Sequence, residues 1–207
     1  MPVFAPDRKR NVRGERRVAS LLDAAARVFG ELGYHAANTN AIAAEAKVSP
    51  ATLYQFFPNK EAIADALVTR YAMELEQEEQ AADIPELAAA PLAEAIRRVT
   101  GVVIEFNRKH PAFLALYTEA PLSKDTIEQK HVVSQTFIER LSEVLIARNP
   151  KLNRQEARWS AEIVLTALKG FLPALAVRKK SIRSRTINSL NQMLVRYLES
   201  VLKTPER

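Results

Sequence analysis

The chain has no cysteine among its 207 residues, which excludes disulfides, thiolate zinc sites and a cysteine nucleophile. Glycine is scarce as well, at five residues. That argues against a turn-rich β fold and leaves room for long helices with short connections. No run of about 18 apolar residues occurs, so no segment is expected to span a bilayer and no membrane partner is expected. The polar, basic stretch from Met1 to Arg17 lacks the apolar core of a secretory signal, and the cytoplasm is the expected compartment. The three histidines, His35, His110 and His131, have no metal-ligand spacing, and no glycine-rich phosphate loop follows a strand. Neither an enzyme, a metal site nor a cofactor is expected.

What is present is an ordinary globular composition, 47% hydrophobic and 26% charged, with a net charge of +6. The charge is unevenly placed. Residues 1–60 carry nine Lys/Arg against five Asp/Glu, residues 61–130 seven against thirteen, and residues 131–207 fourteen against six. A basic front joined to an acidic middle suggests a polyanion partner for the front, although solvated charge with no partner gives the same pattern.

Apolar residues recur at helical spacing through Val18, Leu21, Leu22, Ala25, Val28, Phe29 and Leu32, and Gly33 follows where a helix C′ glycine belongs. This predicts a first helix of roughly 20 residues from Arg13. Asn38 can cap a short second helix ending near Lys47. Ser49-Pro50, a cap followed by proline at the first helical position, opens a third through Phe56. A fourth starts at Lys60 and runs out in the acidic Glu74–Glu79 stretch. Asp83 to Pro91 reads as the best internal boundary. Beyond it lie patterns at Leu92–Phe106, a short one opened by Pro111, then Ile127–Leu145, Trp159–Leu175 and Ile187–Val201. The fold class is all-α, with about nine helices. The expected division is residues 1–60 as basic arm and DNA-binding domain, and residues 61–207 as connecting helix and helical bundle.

Two short helices joined at Lys47-Val48, the second opening on small residues, follow the plan of a helix-turn-helix. In that plan the start of the second helix meets base edges, and polar groups around both helices hold phosphates. Pro50, Ala51 and Gln55 are the candidates for bases, Gln55 through hydrogen bonds and the small residues through thymine methyls. Thr52, Tyr54 and Lys60 are candidate phosphate donors, with free N–H groups at the helix start beside them. Asn38, Thr39, Asn40, Ser49 and Phe56 complete the surface expected to face DNA. Leu53 and Phe57 are expected in the core, as is Tyr34. The runs Arg8–Arg17 and Arg178–Arg185 are either solvated tail and loop or DNA contacts, and the sequence leaves that open.

Gly33-Tyr34, Ile42-Ala43, Ala46, Val48-Ser49, Thr52-Leu53-Tyr54, Phe57 and Asn59-Lys60-Glu61 together resemble the DNA-binding head of the TetR family of bacterial repressors, over roughly Arg16 to Leu67. Four positions depart from the family pattern. Lys47 stands where glycine is usual, at a cost of ~1 kcal/mol if the turn needs a positive φ. Ala51 replaces another common glycine, and Ala37 a frequent threonine. Phe56 replaces Tyr or His, so one phosphate hydrogen bond is expected to be missing.

The resemblance implies a homodimer of all-α subunits with a three-helix head, a connecting fourth helix and a ligand-binding body whose last two long helices dimerise. Operator DNA, near-palindromic, and a small-molecule effector are the implied partners. The role is a repressor released by its effector, the alternative being an activator or a ligand-independent regulator. Phe106, Phe113, Tyr117, His131, Phe137 and Trp159 are the candidate effector contacts, although aromatics at helical spacing also serve as plain core. An apolar or aromatic effector is expected. In the dimerising pair, Leu168 and Leu194 are the expected interface positions, Gly170 is expected to permit close approach, and Pro173 to kink or end its helix.

Overall fold

The computed structural model describes the backbone of residues 8–80, 83–176 and 180–203, and the side chains of residues 13–78, 83–175 and 181–203. Within them the chain forms ten helices and no strand: α1 (Arg8–Ala36), α2 (Thr39–Glu45), α3 (Pro50–Tyr54), α4 (Lys60–Gln80), α5 (Ile84–Ala89), α6 (Leu92–Lys109), α7 (Pro111–Glu119), α8 (Lys124–Arg148), α9 (Arg154–Ala176) and α10 (Lys180–Lys203). The helix absent from the expected nine is α5. Asp83 caps it, and its six residues are too few for periodicity to reveal.

Two compact units emerge. The first runs to Arg70 and takes in His110–Thr126; the second comprises Tyr71–Lys109 and Ile127–Arg207. The first unit thus holds more of the chain than residues 1–60.

In the first unit α1 is held by Leu21, Leu22, Ala25, Val28 and Phe29, all buried, each large side chain contributing roughly 1.5–3 kcal/mol. Gly33, with φ 74°, breaks the helix at the position its sequence promised. Leu32, counted with the inward stripe, is half-exposed. Helix α1 begins at Arg8 rather than Arg13, so the expected arm is helical from Arg8, while the side chains of residues 8–12 lie outside the described residues. Helix α7 packs along α1, with Pro111 and Ala112 close against Gly30.

In the second unit α6, α9 and α10 pack together around Ile96, Val103, Phe106, Leu168, Leu190, Leu194 and Leu198. Buried Thr100 binds Asn191 of α10 at 2.8 Å. Leu168 and Leu194 therefore belong to the protomer's own core, and a charge at either would test folding rather than assembly. Pro173 does not end α9, which continues to Ala176. The second basic run is helical from Lys180, and residues 177–179 lie outside the described residues.

Among the described residues, the turn between α2 and α3 is the one place where a side chain works against its backbone. Lys47 has φ 55°, the single non-glycine positive φ among the described residues. Its N–H donates to Ala44 O and that of Val48 to Ala43 O, both at 3.0 Å. This is the paired closure of a Schellman turn, with lysine where glycine is favoured. Lys47→Gly is expected to stabilise the fold by about 1 kcal/mol, the relief of Cβ crowding outweighing glycine's greater chain entropy. For a chain of this size that is a rise in Tm of about 2–4 °C, read by thermal unfolding. An unchanged or lower Tm would contradict a strained turn.

Candidate nucleic-acid interface

Helix α2 starts because Asn38 turns its Oδ1 back onto Ala41 N–H at 2.9 Å. Helix α3 starts because Ser49 Oγ accepts from Thr52 N–H at 3.1 Å, with Pro50 supplying a preset φ. Ile42 and Ala43 of α2 and Leu53 of α3 are buried, and Phe57 anchors the chain just beyond α3. With Leu53 inward, Pro50, Ala51, Tyr54 and Gln55 face solvent, Tyr54 at 50% exposure. Helix α3 ends at Tyr54, with Gln55 as its cap, rather than at Phe56.

Two hydroxyl pairs stiffen this surface. Thr39 Oγ1 and Tyr54 Oη lie 2.9 Å apart, linking the start of α2 to the end of α3. Ser49 Oγ and Thr52 Oγ1 are also 2.9 Å apart. A hydroxyl has one proton and two lone pairs, so when Thr39 donates to Tyr54 the phenol proton points outward, and when Ser49 donates to Thr52 the same holds for Thr52. Asn40 is exposed on α2, and Phe56, also exposed, offers no donor.

Lys60 sits differently from a free phosphate donor. Its Nζ donates to Tyr34 O at 2.9 Å and to Ala37 O at 3.0 Å, and lies 4.2 Å from the centre of the Tyr34 ring. Two of its three protons thus satisfy carbonyls at the end of α1, leaving one for a phosphate. Beside it Tyr34, buried against Phe29, donates its hydroxyl to Glu61 at 2.9 Å. Burial first, and the Glu61 carboxylate second, push the tyrosine pKa up to about 12. Glu61 is held below its ordinary value by its own backbone N–H and then by the Tyr34 hydroxyl. Asn59 caps α4 by accepting from Ala62 N–H at 2.8 Å. The Tyr34–Lys60–Glu61 lock was not anticipated. Its signal was available in the Lys-Glu pair that follows an Asn cap and in the expected burial of Tyr34.

The candidate effector residues are scattered. Phe113 and Tyr117, 5.4 Å apart, lie in the first unit. In the second, Phe106 is buried edge-on to Tyr71 at 6.0 Å, and Phe137 is buried along the wall of a cavity. His131 is exposed, and Trp159 is 60% exposed, so neither lines that cavity. Helical spacing placed Trp159 on an apolar face of α9, but that face is not the one the protomer fills. Among the described residues no group of three or more His, Asp or Glu is placed to hold a metal, and no helix is long and apolar enough to cross a membrane.

Two short capped helices at a fixed turn, carrying an exposed polar face on a buried apolar anchor, make this a helix-turn-helix DNA-binding regulator. Residues 21–67 match the family described as bacterial regulatory proteins, tetR family, and residues 91–198 match the Tetracyclin repressor-like C-terminal domain. The chain belongs to the TetR family of transcriptional regulators, which are DNA-binding proteins and not enzymes.

It is 31% identical over 99 residues to the uncharacterized HTH-type transcriptional regulator YhgD of Bacillus subtilis, a match covering 48% of this chain and 50% of that one. The chain thus spans half the length of that relative. Among solved structures it resembles a TetR-family transcriptional regulator from Streptomyces coelicolor, with TM-score 0.58, 24% identity, and 89% and 99% of the two chains covered. It also resembles the regulator FadR from Bacillus subtilis in complex with stearoyl-CoA, with TM-score 0.56, 20% identity, and 89% and 95% covered. At these identities the likeness is one of fold.

Proposed function

We propose that this regulator is a cytoplasmic homodimeric repressor that binds a near-palindromic operator through α2 and α3 and is released by a small apolar or aromatic effector. The observation that carries the DNA-binding half is the exposed set Pro50, Ala51, Tyr54 and Gln55, presented by an α3 whose Leu53 is fully buried. Pro50, Ala51 and Gln55 read bases. Tyr54 and Thr52, with Asn38, Thr39, Asn40 and Ser49 around them, hold the backbone phosphates, and Lys60 adds its remaining proton. Residues 1–60 act as the DNA-binding part, and residues 61–207 as the linking and effector-binding part. Supporting the dimer is an open stripe along α9, through Trp159, Ile163, Thr166, Gly170 and Pro173, with nothing among the described residues, apart from α9's own adjacent turns, within 4 Å of a Cβ at Gly170.

Effector control follows by linkage. DNA selects the dimer geometry in which both heads fit the duplex, so a compound that prefers another geometry weakens operator binding. DNA weakens the compound's binding by the same factor.

Selection from a random DNA library is expected to enrich a two-fold site with half-site centres about 34–36 Å apart or a multiple of it. Tyr54→Phe is expected to weaken binding to every sequence by roughly tenfold, the scale of one hydrogen bond to a charged phosphate. Gln55→Ala is expected to change which base is preferred at one position, by about 1–3 kcal/mol of discrimination. A library that enriches no motif would overturn the reading. Activation of transcription from the selected site would replace repressor with activator, and an operator affinity that no compound alters would make the regulator ligand-independent.

A further inference from the structure

The second unit contains a cavity of about 190 Å³ beneath α5. Ile84 and Leu87 of α5 close it from above, Val99 and Val102 of α6 form one wall, and Phe137 and Leu141 of α8 form the other. The roof is held from two sides. Arg148, at the end of α8, donates from Nη2 to Leu87 O at 2.7 Å and also to Ala90 O. Arg98 of α6 donates to Glu86 at 2.6 Å. Pro85 in the first turn of α5 and Pro91 two residues beyond its end restrict the backbone further.

We propose that this cavity is a binding site for an uncharged compound of one aromatic ring or a short alkyl chain. The proposal rests on the effector-responsive reading and names the site and the chemistry that reading leaves open. Size supplies the first argument. An engineered apolar cavity of about 150 Å³ holds benzene, so 190 Å³ takes a substituted ring, whereas most of a long acyl chain would have to run out through the open side. The stearoyl-CoA seen in the Bacillus subtilis FadR structure is far too large for it.

Charge supplies the second argument. The mouth carries two acids, Asp83 and Glu86, and two arginines, Arg98 and Arg140, so its net charge is zero. Arg98 is already committed to Glu86 and, at 2.8 Å, to Glu94, and Arg140 is engaged as well. Asp83 is occupied as the cap of α5. An anionic ligand would have to compete with the carboxylates that already neutralise Arg98, whereas a neutral ring needs only the apolar walls.

The test measures binding without DNA. Toluene and phenol are titrated against the full-length protein, following thermal stability and calorimetric heat, with benzoate and octanoate as anionic counterparts. Both neutral probes are expected to stabilise the protein saturably. Val99→Phe and Val102→Phe, which fill the cavity at half-buried positions, are each expected to weaken them at least about tenfold, that is by 1.4 kcal/mol. Two separate filling variants, each checked by circular dichroism, guard against one that misfolds. Absence of saturable binding, unchanged affinity in both folded filling variants, or tighter binding of benzoate than of toluene would each overturn the proposal. Operator affinity is then read in the same samples. Binding of toluene with no change in operator affinity upholds the site and removes its role in release. Release by some other compound in a protein that ignores toluene overturns the site alone.

Discussion

Ile163→Glu is expected to abolish the proposed dimer of this regulator at micromolar concentration and to lower operator affinity by two orders of magnitude or more. Trp159, Ile163, Thr166, Gly170 and Pro173 follow one another at intervals of three and four residues, so they occupy one face of α9. That face is apolar or small throughout, and in the protomer it is open, with Trp159 60% exposed. An exposed apolar stripe of this kind marks an interaction surface, and in the proposed two-fold dimer each copy would cover the other's. A glutamate at the centre of a self-complementary face appears twice and meets itself across the axis. Each buried carboxylate costs several kcal/mol, so the two together offset most of the ~8–12 kcal/mol that holds a micromolar-to-nanomolar dimer. A monomer then engages one half-site at a time and loses the effective-concentration gain of the second head, which is worth 10²–10⁴. Sedimentation velocity and operator titration on the same sample check both halves. Because Ile163 is only half-buried in the protomer, circular dichroism should show an intact fold, unlike Leu168→Glu, which strikes the core. A dimeric Ile163→Glu with undiminished operator binding would move the interface elsewhere.

The contrast between Leu168 and Trp159 shows where sequence reading stops. Both lie on α9 at helical spacing, and periodicity identifies them equally as apolar face. Which side of a doubly apolar helix the chain fills for itself depends on α6 and α10, and so on contacts with no one-dimensional signature. The local features fared better because their causes are local. Asn38, Ser49 and Gly33 act through hydrogen bonds or dihedrals within three or four residues, and each stands where its chemistry placed it. Lys47 is the sharpest case. A lysine in place of the expected glycine reads as strain if the turn needs a positive φ, and the φ of 55° meets that condition. Helix α5 escaped because two prolines and a run of alanines resemble a linker, and the aspartate that starts it gives a signal of one residue. The packing of α7 along α1 escaped for a different reason, since more than 70 residues separate Gly30 from its neighbours Pro111 and Ala112. In the candidate DNA site the residue types were legible but the partners were not, and Lys60 is the clearest instance.

Lys60→Met is expected to destabilise the free protein by about 2–4 kcal/mol, lowering Tm by roughly 2–4 °C for each kcal/mol. The lysine closes the end of α1, where the break at Gly33 leaves carbonyls without helical donors. Its ammonium answers those of Tyr34 and Ala37 and rests on the Tyr34 ring. A hydrogen bond from a charged donor contributes about 1.5–3 kcal/mol and a partly exposed cation–π contact about 0.5–1. The sum is discounted because water can reach part of the site and methionine keeps most of the apolar stem. A lysine whose work was only to neutralise a phosphate would give the opposite pattern, with unchanged stability and a salt dependence of operator binding flatter by about one unit. Urea unfolding of the DNA-free protein, paired with operator titrations across a salt series, separates the two. A large loss of stability with a small change in salt slope identifies Lys60 as the residue that fixes α4 to the end of α1, and therefore fixes where Tyr34 and Glu61 stand. Stability equal to wild type would mean that the two carbonyls find water as readily as they find the ammonium, and the lock would lose its structural role. Lys60→Arg sharpens the distinction, since it retains charge for a phosphate while its planar fork cannot reproduce one ammonium shared between two carbonyls and a ring face.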